Sequence, residues 1–155
     1  MVLGNAELAS AGTATSNLNV SATVTSTCSI SAGALAFGTY NPITGTQVDG
    51  TATVAVQCTK GTASVVTLGQ GQNAGTGSTD IMPVRQMAAG LNRLGYSLYT
   101  DTNRTVAWGN TALTGQAYVA AASTSTNLTV YGRITANQDV PAGSFTDVVV
   151  ATITF

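Results

Sequence analysis

The stretch Ser16-Asn-Leu18-Asn-Val20-Ser-Ala22-Thr-Val24-Thr-Ser-Thr-Cys28 decides how the rest of the chain is read. Leu18, Val20, Ala22 and Val24 alternate with Asn19, Ser21, Thr23 and Thr25, so an extended backbone carries four apolar groups on one face. That period belongs to a strand, with no competing helical repeat. A Gly/Ala/Ser/Thr-rich leader precedes the stretch, and the first of two cysteines closes it. A strand so placed either joins its own domain's sheet or reaches out to complete a neighbour. Alternation by itself favours the first use.

Further segments of the same kind follow. Residues 51–58 place Ala52, Val54, Val56 and Cys58 on one face, residues 63–68 predict a third strand, and residues 92–99 set Leu94, Tyr96 and Leu98 against Gly95, Ser97 and Tyr99. After a turn at residues 100–104, Val106 and Trp108 are expected to begin a partner strand. Residues 117–121 are a further apolar run, and residues 127–136 put Leu128, Val130, Gly132 and Ile134 on one side. The short apolar segment 35–40 ends at Asn41-Pro42, a turn starter. The glycine-rich loop 69–80 lacks the lysine and the spacing of a phosphate-binding loop and reads as a surface connection. Residues 81–90 fit a helical turn or a poorly alternating strand equally well, with Pro83 against both. Pro141-Ala-Gly143 is a turn before a last strand, 145–155. There Phe145, Asp147, Val149, Ala151, Ile153 and Phe155 share a face, and Val148 and Val150 occupy the other. Apolar on both faces, it is expected at a buried centre. Short strands with frequent turns and no βαβ rhythm predict an all-β antiparallel sandwich.

Composition narrows the chemistry. The chain has 155 residues, enough for one domain with a sizeable core. Only 7% of residues are charged and the net charge is -1, which provides no footprint for nucleic acid or an anionic membrane. With so few charges, solubility rests on hydroxyls and amides, or the protein lives in a large assembly. Histidine is absent and Lys60 is the only lysine, which removes the commonest general base and metal ligand. No apolar run approaches the roughly 20 residues that span a bilayer. Cys28 and Cys58 both follow strand-like runs, so they are either bridged across neighbouring strands in an oxidising compartment or two buried thiols in a reducing one. Ala9-Ser10-Ala11 has the small-x-small form of a signal-peptidase site, without a basic region or an adequate apolar stretch before it.

The run Leu94-Gly-Tyr96-Ser-Leu98-Tyr99-Thr-Asp101 resembles the central strand and turn of the spore coat protein U-like domain, which also builds the subunits of archaic chaperone–usher pili. Residues 141–155 resemble that family's C-terminal strand with its final aromatic, and Tyr131-Gly132-Arg133-Ile134 its aromatic-glycine strand. Cys28 and Cys58 are similar in placement to its disulfide, and the resemblance runs from Leu18 to Phe155. Its length is that of a one-domain rod subunit.

The resemblance implies an immunoglobulin-like sandwich missing one strand, with its groove filled by the N-terminal strand of the next subunit. Residues 1–17 would be a flexible leader, with a signal-peptide remnant to residue 11 as one reading of its start, 18–27 the donor strand and 28–155 the pilin domain. Leu18, Val20, Ala22 and Val24 would plug the groove, with Ala14 ahead of them. Phe145, Val149, Ala151, Ile153 and Phe155 would form one wall. The implied partners are identical subunits, a periplasmic chaperone, an outer-membrane usher and a tip subunit, on a route through the periplasm to a surface fimbria for attachment and biofilm formation. No cofactor and no metal are implied. Two other roles stand beside this one. Asp101 and Asp147 could be imagined as a catalytic carboxylate pair, but in turn and strand-start positions an Asp normally satisfies backbone donors. A spore-coat, surface-layer or carbohydrate-binding sandwich is the alternative to a pilus, with Trp108 and the tyrosines as its stacking groups.

Overall fold

The computed structural model describes residues 11–155. The signal-peptidase-like motif therefore lies, but for Ala11, outside the described residues. Eight strands follow in chain order: β1 (Cys28–Ala32), β2 (Val48–Cys58), β3 (Ala63–Leu68), β4 (Arg85–Ala89), β5 (Asn92–Tyr99), β6 (Gln116–Val119), β7 (Thr126–Ile134) and β8 (Ala151–Thr154). They form a five-stranded sheet in the order β1-β2-β7-β5-β4 and a three-stranded sheet in the order β6-β3-β8, with every pair antiparallel. Among the described residues there is no helix. The all-β antiparallel sandwich expected from the sequence is the fold observed.

The alternating runs become strands because their apolar sets meet across the two layers. Val54 and Val56 of β2, Leu94, Tyr96 and Leu98 of β5, and Val130 and Ile134 of β7 face Val66 and Leu68 of β3 in one buried core. Burying each large aliphatic contributes about 1.5–3 kcal/mol, so the alternation specifies register as well as strand. Trp108 is 0% exposed and donates its indole N–H to the Val66 carbonyl at 2.8 Å. It is a core residue and cannot serve as a stacking platform for a ligand.

Two paired glycines make room for a segment that is not itself a strand. Gly50 of β2 lies opposite Gly132 of β7 on the inner face. A Cβ on Gly132 would stand 2.8 Å from both Leu35 and Phe37, and one on Gly50 3.2 Å from Phe37. Leu35 and Phe37 thus lie directly on backbone, and Phe37 packs edge-on against Tyr96 with ring centroids 5.9 Å apart.

The two layers are also tied by a buried cation. Arg85 of β4 is 2% exposed, donates from Nε to the Gly69 carbonyl at 2.8 Å, and donates from Nη2 to the carbonyls of Leu68 (2.7 Å) and Trp108 (2.8 Å). Burial draws its guanidinium down to about 10, partly offset by Tyr96 and Asp147, so it stays charged at neutral pH. On the outer face, Asp49 takes a two-pronged pair from Arg133, Nε–Oδ1 2.7 Å and Nη2–Oδ2 2.8 Å.

Two expectations are corrected and two open readings are narrowed. Residues 18–24 form no strand, because no ladder partner stands beside them within their own domain. Residues 81–90 resolve as the strand β4, and Pro83 stays outside it. Val106 and Trp108 open no partner strand, and only the single bridge Tyr99↔Ala107 forms, since Trp108 turns into the core. Residues 145–155 are not one central strand. Thr146 bridges Ala88 of β4, the chain then crosses between layers, and β8 lies at an edge, paired with β3 alone. The sequence reading also passed over β1, where Cys28, Ile30 and Ala32 alternate with two serines.

The cysteines are bridged, Cys28 lying opposite Cys58 in the β1–β2 register. Reduction with alkylation should add two alkyl groups to the intact mass and lower stability by about 3–4 kcal/mol in the loop-entropy picture, read by denaturant titration. Gly132→Ala should lower stability by about 1–3 kcal/mol, because the added methyl must displace Leu35 and Phe37. Arg85→Met should cost on the order of 3–5 kcal/mol, because three carbonyls at the layer junction lose their donor. An Arg85→Met protein melting with the parent would overturn that role.

Candidate functional site

The site is made of two parts, an exposed arm and an open seam. Residues 11–27 carry no strand, and Leu18, Val20 and Val24 are 88%, 86% and 83% exposed, with Ala22 exposed between them. Large aliphatics held in water in such a regular series cost free energy that ordinary folding would recover. Among the described residues the arm is hydrogen-bonded to the domain at its base. The Thr59 N–H donates to the Thr27 carbonyl at 2.9 Å, the Thr27 N–H donates to Thr59 Oγ1 at 3.1 Å, and the Thr59 hydroxyl reaches the Thr25 carbonyl at 3.3 Å. The disulfide follows at once.

The seam runs where the smaller sheet stops short of the larger one. β8 and the residues leading into it are hydrogen-bonded on one side, to β3 and, through Val150 and Val148 carbonyls, to the N–H groups of Gly69 and Gln72. Among the described residues the other side has no backbone partner. β1 lies beside it, likewise an edge strand. Several side chains that point inward are left only half-buried, among them Ile30, Val48, Ala52 and Leu128. A cleft of about 820 Å³ also opens between residues 35–43 and 139–145, floored by Met87, Leu94 and Ile134, and Phe145 is the wall residue it shares. Its lining mixes apolar side chains with polar groups and reaches the core at Leu94 and Ile134.

Phe145, Val149, Ala151 and Ile153 stand together on one inward, half-buried face, the face read from the sequence, while Val148 and Val150 point to solvent. Phe155 is 57% exposed and Phe145 alone of the five lines the cleft. The sequence reading missed the facing residues Leu35, Phe37 and Tyr40. Their apolar spacing was visible, but the glycine pair that seats two of them belongs to strands far away in sequence. Asp101 caps its own turn, accepting from the N–H groups of Thr105 and Val106, and Asp147 accepts from those of Gln72 and Asn73. Backbone hydrogen bonds hold the Asp101 carboxyl below its usual range, that of Val106 first. Among the described residues no group of three or more potential metal ligands comes together.

Arm and seam are chemically complementary. One offers a row of alternating apolar side chains with unpaired backbone, and the other offers an apolar trough beside an unpaired strand edge.

Comparison with known proteins agrees with this architecture. The model of the Spore Coat Protein U domain matches residues 14–152. Protein U of Myxococcus xanthus is 45% identical over 158 residues, covering 95% of this chain and 88% of that protein. The fold is similar to one in the chaperone–tip adhesion subunit pre-assembly complex from the archaic chaperone–usher Csu pili of Acinetobacter baumannii, with a TM-score of 0.59 and 19% identity over 86% of this chain. This chain spans 40% of that solved chain, and at such identity the likeness is one of fold. By the extent of the match, the chain belongs to the spore coat protein U domain family, whose members are structural proteins and not enzymes.

Proposed function

We propose that this chain is a structural subunit of an extracellular bacterial fibre of the archaic chaperone–usher type, polymerising by donation of its N-terminal arm to the seam of the next copy. One observation carries the reading: Leu18, Val20, Ala22 and Val24 lie exposed outside their own sheets, while the same molecule leaves an apolar seam beside an unpaired edge. In this reading residues 18–27 are the donor strand, 28–155 the acceptor domain, and Phe145, Val149, Ala151, Ile153 and Phe155 one wall of the groove. Strand addition joins main-chain hydrogen bonds to alternate side chains in pockets. Leu18, Val20 and Val24 would each contribute about 1.5–3 kcal/mol on full burial, and Ala22 less. The partners are identical copies, with a periplasmic chaperone holding the seam before assembly, an outer-membrane usher exchanging it, and a tip subunit. The location is the cell surface, and attachment and biofilm formation are the roles.

A second reading, a subunit of a spore-coat layer, is favoured by the 45% identity to Protein U and by the description of the family. The joint between copies would be the same, and electron microscopy of the assembled protein separates fibres from sheets.

Val20→Asp and Asn19→Asp test the register. The first places an unpaired carboxylate in the apolar seam at a cost of several kcal/mol, whereas the second lies on the opposite face. Assembly should fail in the first and persist in the second, and equal behaviour would contradict the register. A variant with residues 12–27 repeated after Phe155 and a flexible turn should be a monomer that melts well above the parent subunit freed of its chaperone. If calorimetry and sedimentation found the parent equally stable and monomeric, arm donation would be wrong.

A further inference from the structure

The loop 69–80, which the sequence presented as a plain surface connection, closes around one carboxylate. Asp147 Oδ1 accepts from the Gln72 N–H at 2.9 Å, the Asn73 N–H at 3.3 Å and the Asn73 side-chain amide at 3.2 Å. Its Oδ2 accepts from the Tyr96 hydroxyl at 2.7 Å. Gly71 has a φ of +86°, and any side chain there would run into this carboxylate, so the loop conformation and the acid fit one another. Burial, and next the bond to Asp147, hold the Tyr96 phenol above its usual range and keep it a donor.

The place of Asp147 in the chain gives this cluster a consequence. The residue before it, Thr146, exchanges backbone hydrogen bonds with Ala88 at the edge of the larger sheet, 2.8 and 3.1 Å. The residues after it are held by the loop that continues the smaller sheet, Gln72 to Val148 at 3.1 Å and Gly69 to Val150 at 2.9 Å. Asp147 therefore stands where the chain changes layers. A segment hydrogen-bonded on one side only, with its other edge open, needs such an anchor to keep a fixed line.

We propose that Asp147 is a positioning residue for the seam. By gathering the loop amides of Gln72 and Asn73 and the Tyr96 hydroxyl, its carboxylate holds residues 145–154 as a preformed wall before any strand arrives. The inference rests on the reading of this wall as the acceptor of a donor strand. A wall ordered in advance loses less conformational freedom on binding, so its anchor acts on donor affinity as well as on the empty domain.

The test uses the full chain, a labelled synthetic peptide of residues 12–27, and hydrogen exchange read by mass spectrometry. Asp147→Ala should weaken peptide uptake about tenfold or more, the scale of losing charge-assisted hydrogen bonds. It should also speed exchange at Gly69 and residues 148–155 while β2 and β7 keep their protection. Asp147→Asn retains the Oδ1 acceptor and should fall between that variant and the parent, a partial rescue that bulk packing would not predict. Unchanged peptide affinity in Asp147→Ala would overturn the proposal. So would equal loss of protection in β2 and β7, which marks general destabilisation. A parent chain that takes up no peptide would instead overturn the acceptor reading itself, and this inference with it.

Discussion

Among the described residues, backbone hydrogen bonding along β8 is satisfied on one side only, and much of the molecule is arranged around that asymmetry. A buried strand edge without partners leaves donors and acceptors that water or another chain must satisfy. Here the edge is coupled to an apolar face, since Phe145, Val149, Ala151 and Ile153 point into the core from the same segment. Water can serve the edge but not the face. The five-stranded layer presents more inward surface than the three-stranded layer covers, and Leu35 and Phe37 cover part of the remainder by lying on Gly50 and Gly132. What is still uncovered is the seam.

The scarcity of charge has a structural side. Charged residues are 7% of the chain, and those that define the fold are committed to internal contacts. Arg85 holds three carbonyls at the layer junction, Asp147 gathers the loop, and Asp49 engages Arg133, with Arg104 Nη1 3.4 Å away. The hydrogen bond from Arg133 holds the Asp49 carboxyl below its usual range. What faces outward is chiefly hydroxyl and amide, as in the Ser29, Ser31, Thr51, Thr53 and Thr129 positions of the larger sheet. Such a surface carries little long-range repulsion, so close packing of copies is opposed only by short-range hydration.

Much of this was legible in the alternation. β2, β5 and β7 were legible with their buried faces, and β3 as a strand alone, because a two-residue period in a half-buried sheet is written directly into side-chain polarity. The Cys28–Cys58 bridge was legible too, and the β1–β2 register shows what seats it. Other features depend on contacts distant in sequence. Trp108 turned inward because a carbonyl of β3 awaited its indole, which nothing in residues 105–109 reveals. β8 was placed at a centre because Val148 and Val150 look like core residues, yet both point to solvent. An apolar strand at an edge and one at a centre are written with the same letters. The Asp147 cluster was invisible for a related reason, since its donors come from a glycine-rich loop with no periodic signal.

The base of the arm shows how local chemistry and assembly meet. β1 is a five-residue edge strand paired, among the described residues, with β2 alone, an element that would fray if left to its ladder. The disulfide fixes its first residue to the last residue of β2, and the Thr59 contacts hold Thr25 and Thr27 just beyond. Any pull on the arm is therefore delivered to a covalent link between two strands before it reaches the ladder. A mobile base would let the arm fold back over the seam beside β1, where its own apolar row meets a matching trough. Restraining the last residues of the arm limits the directions it can leave, and in the proposed assembly the strand that completes the seam would come from another chain. In that proposed assembly, a restrained base would aim Leu18, Val20 and Val24, exposed on a single copy, at the seam of the next.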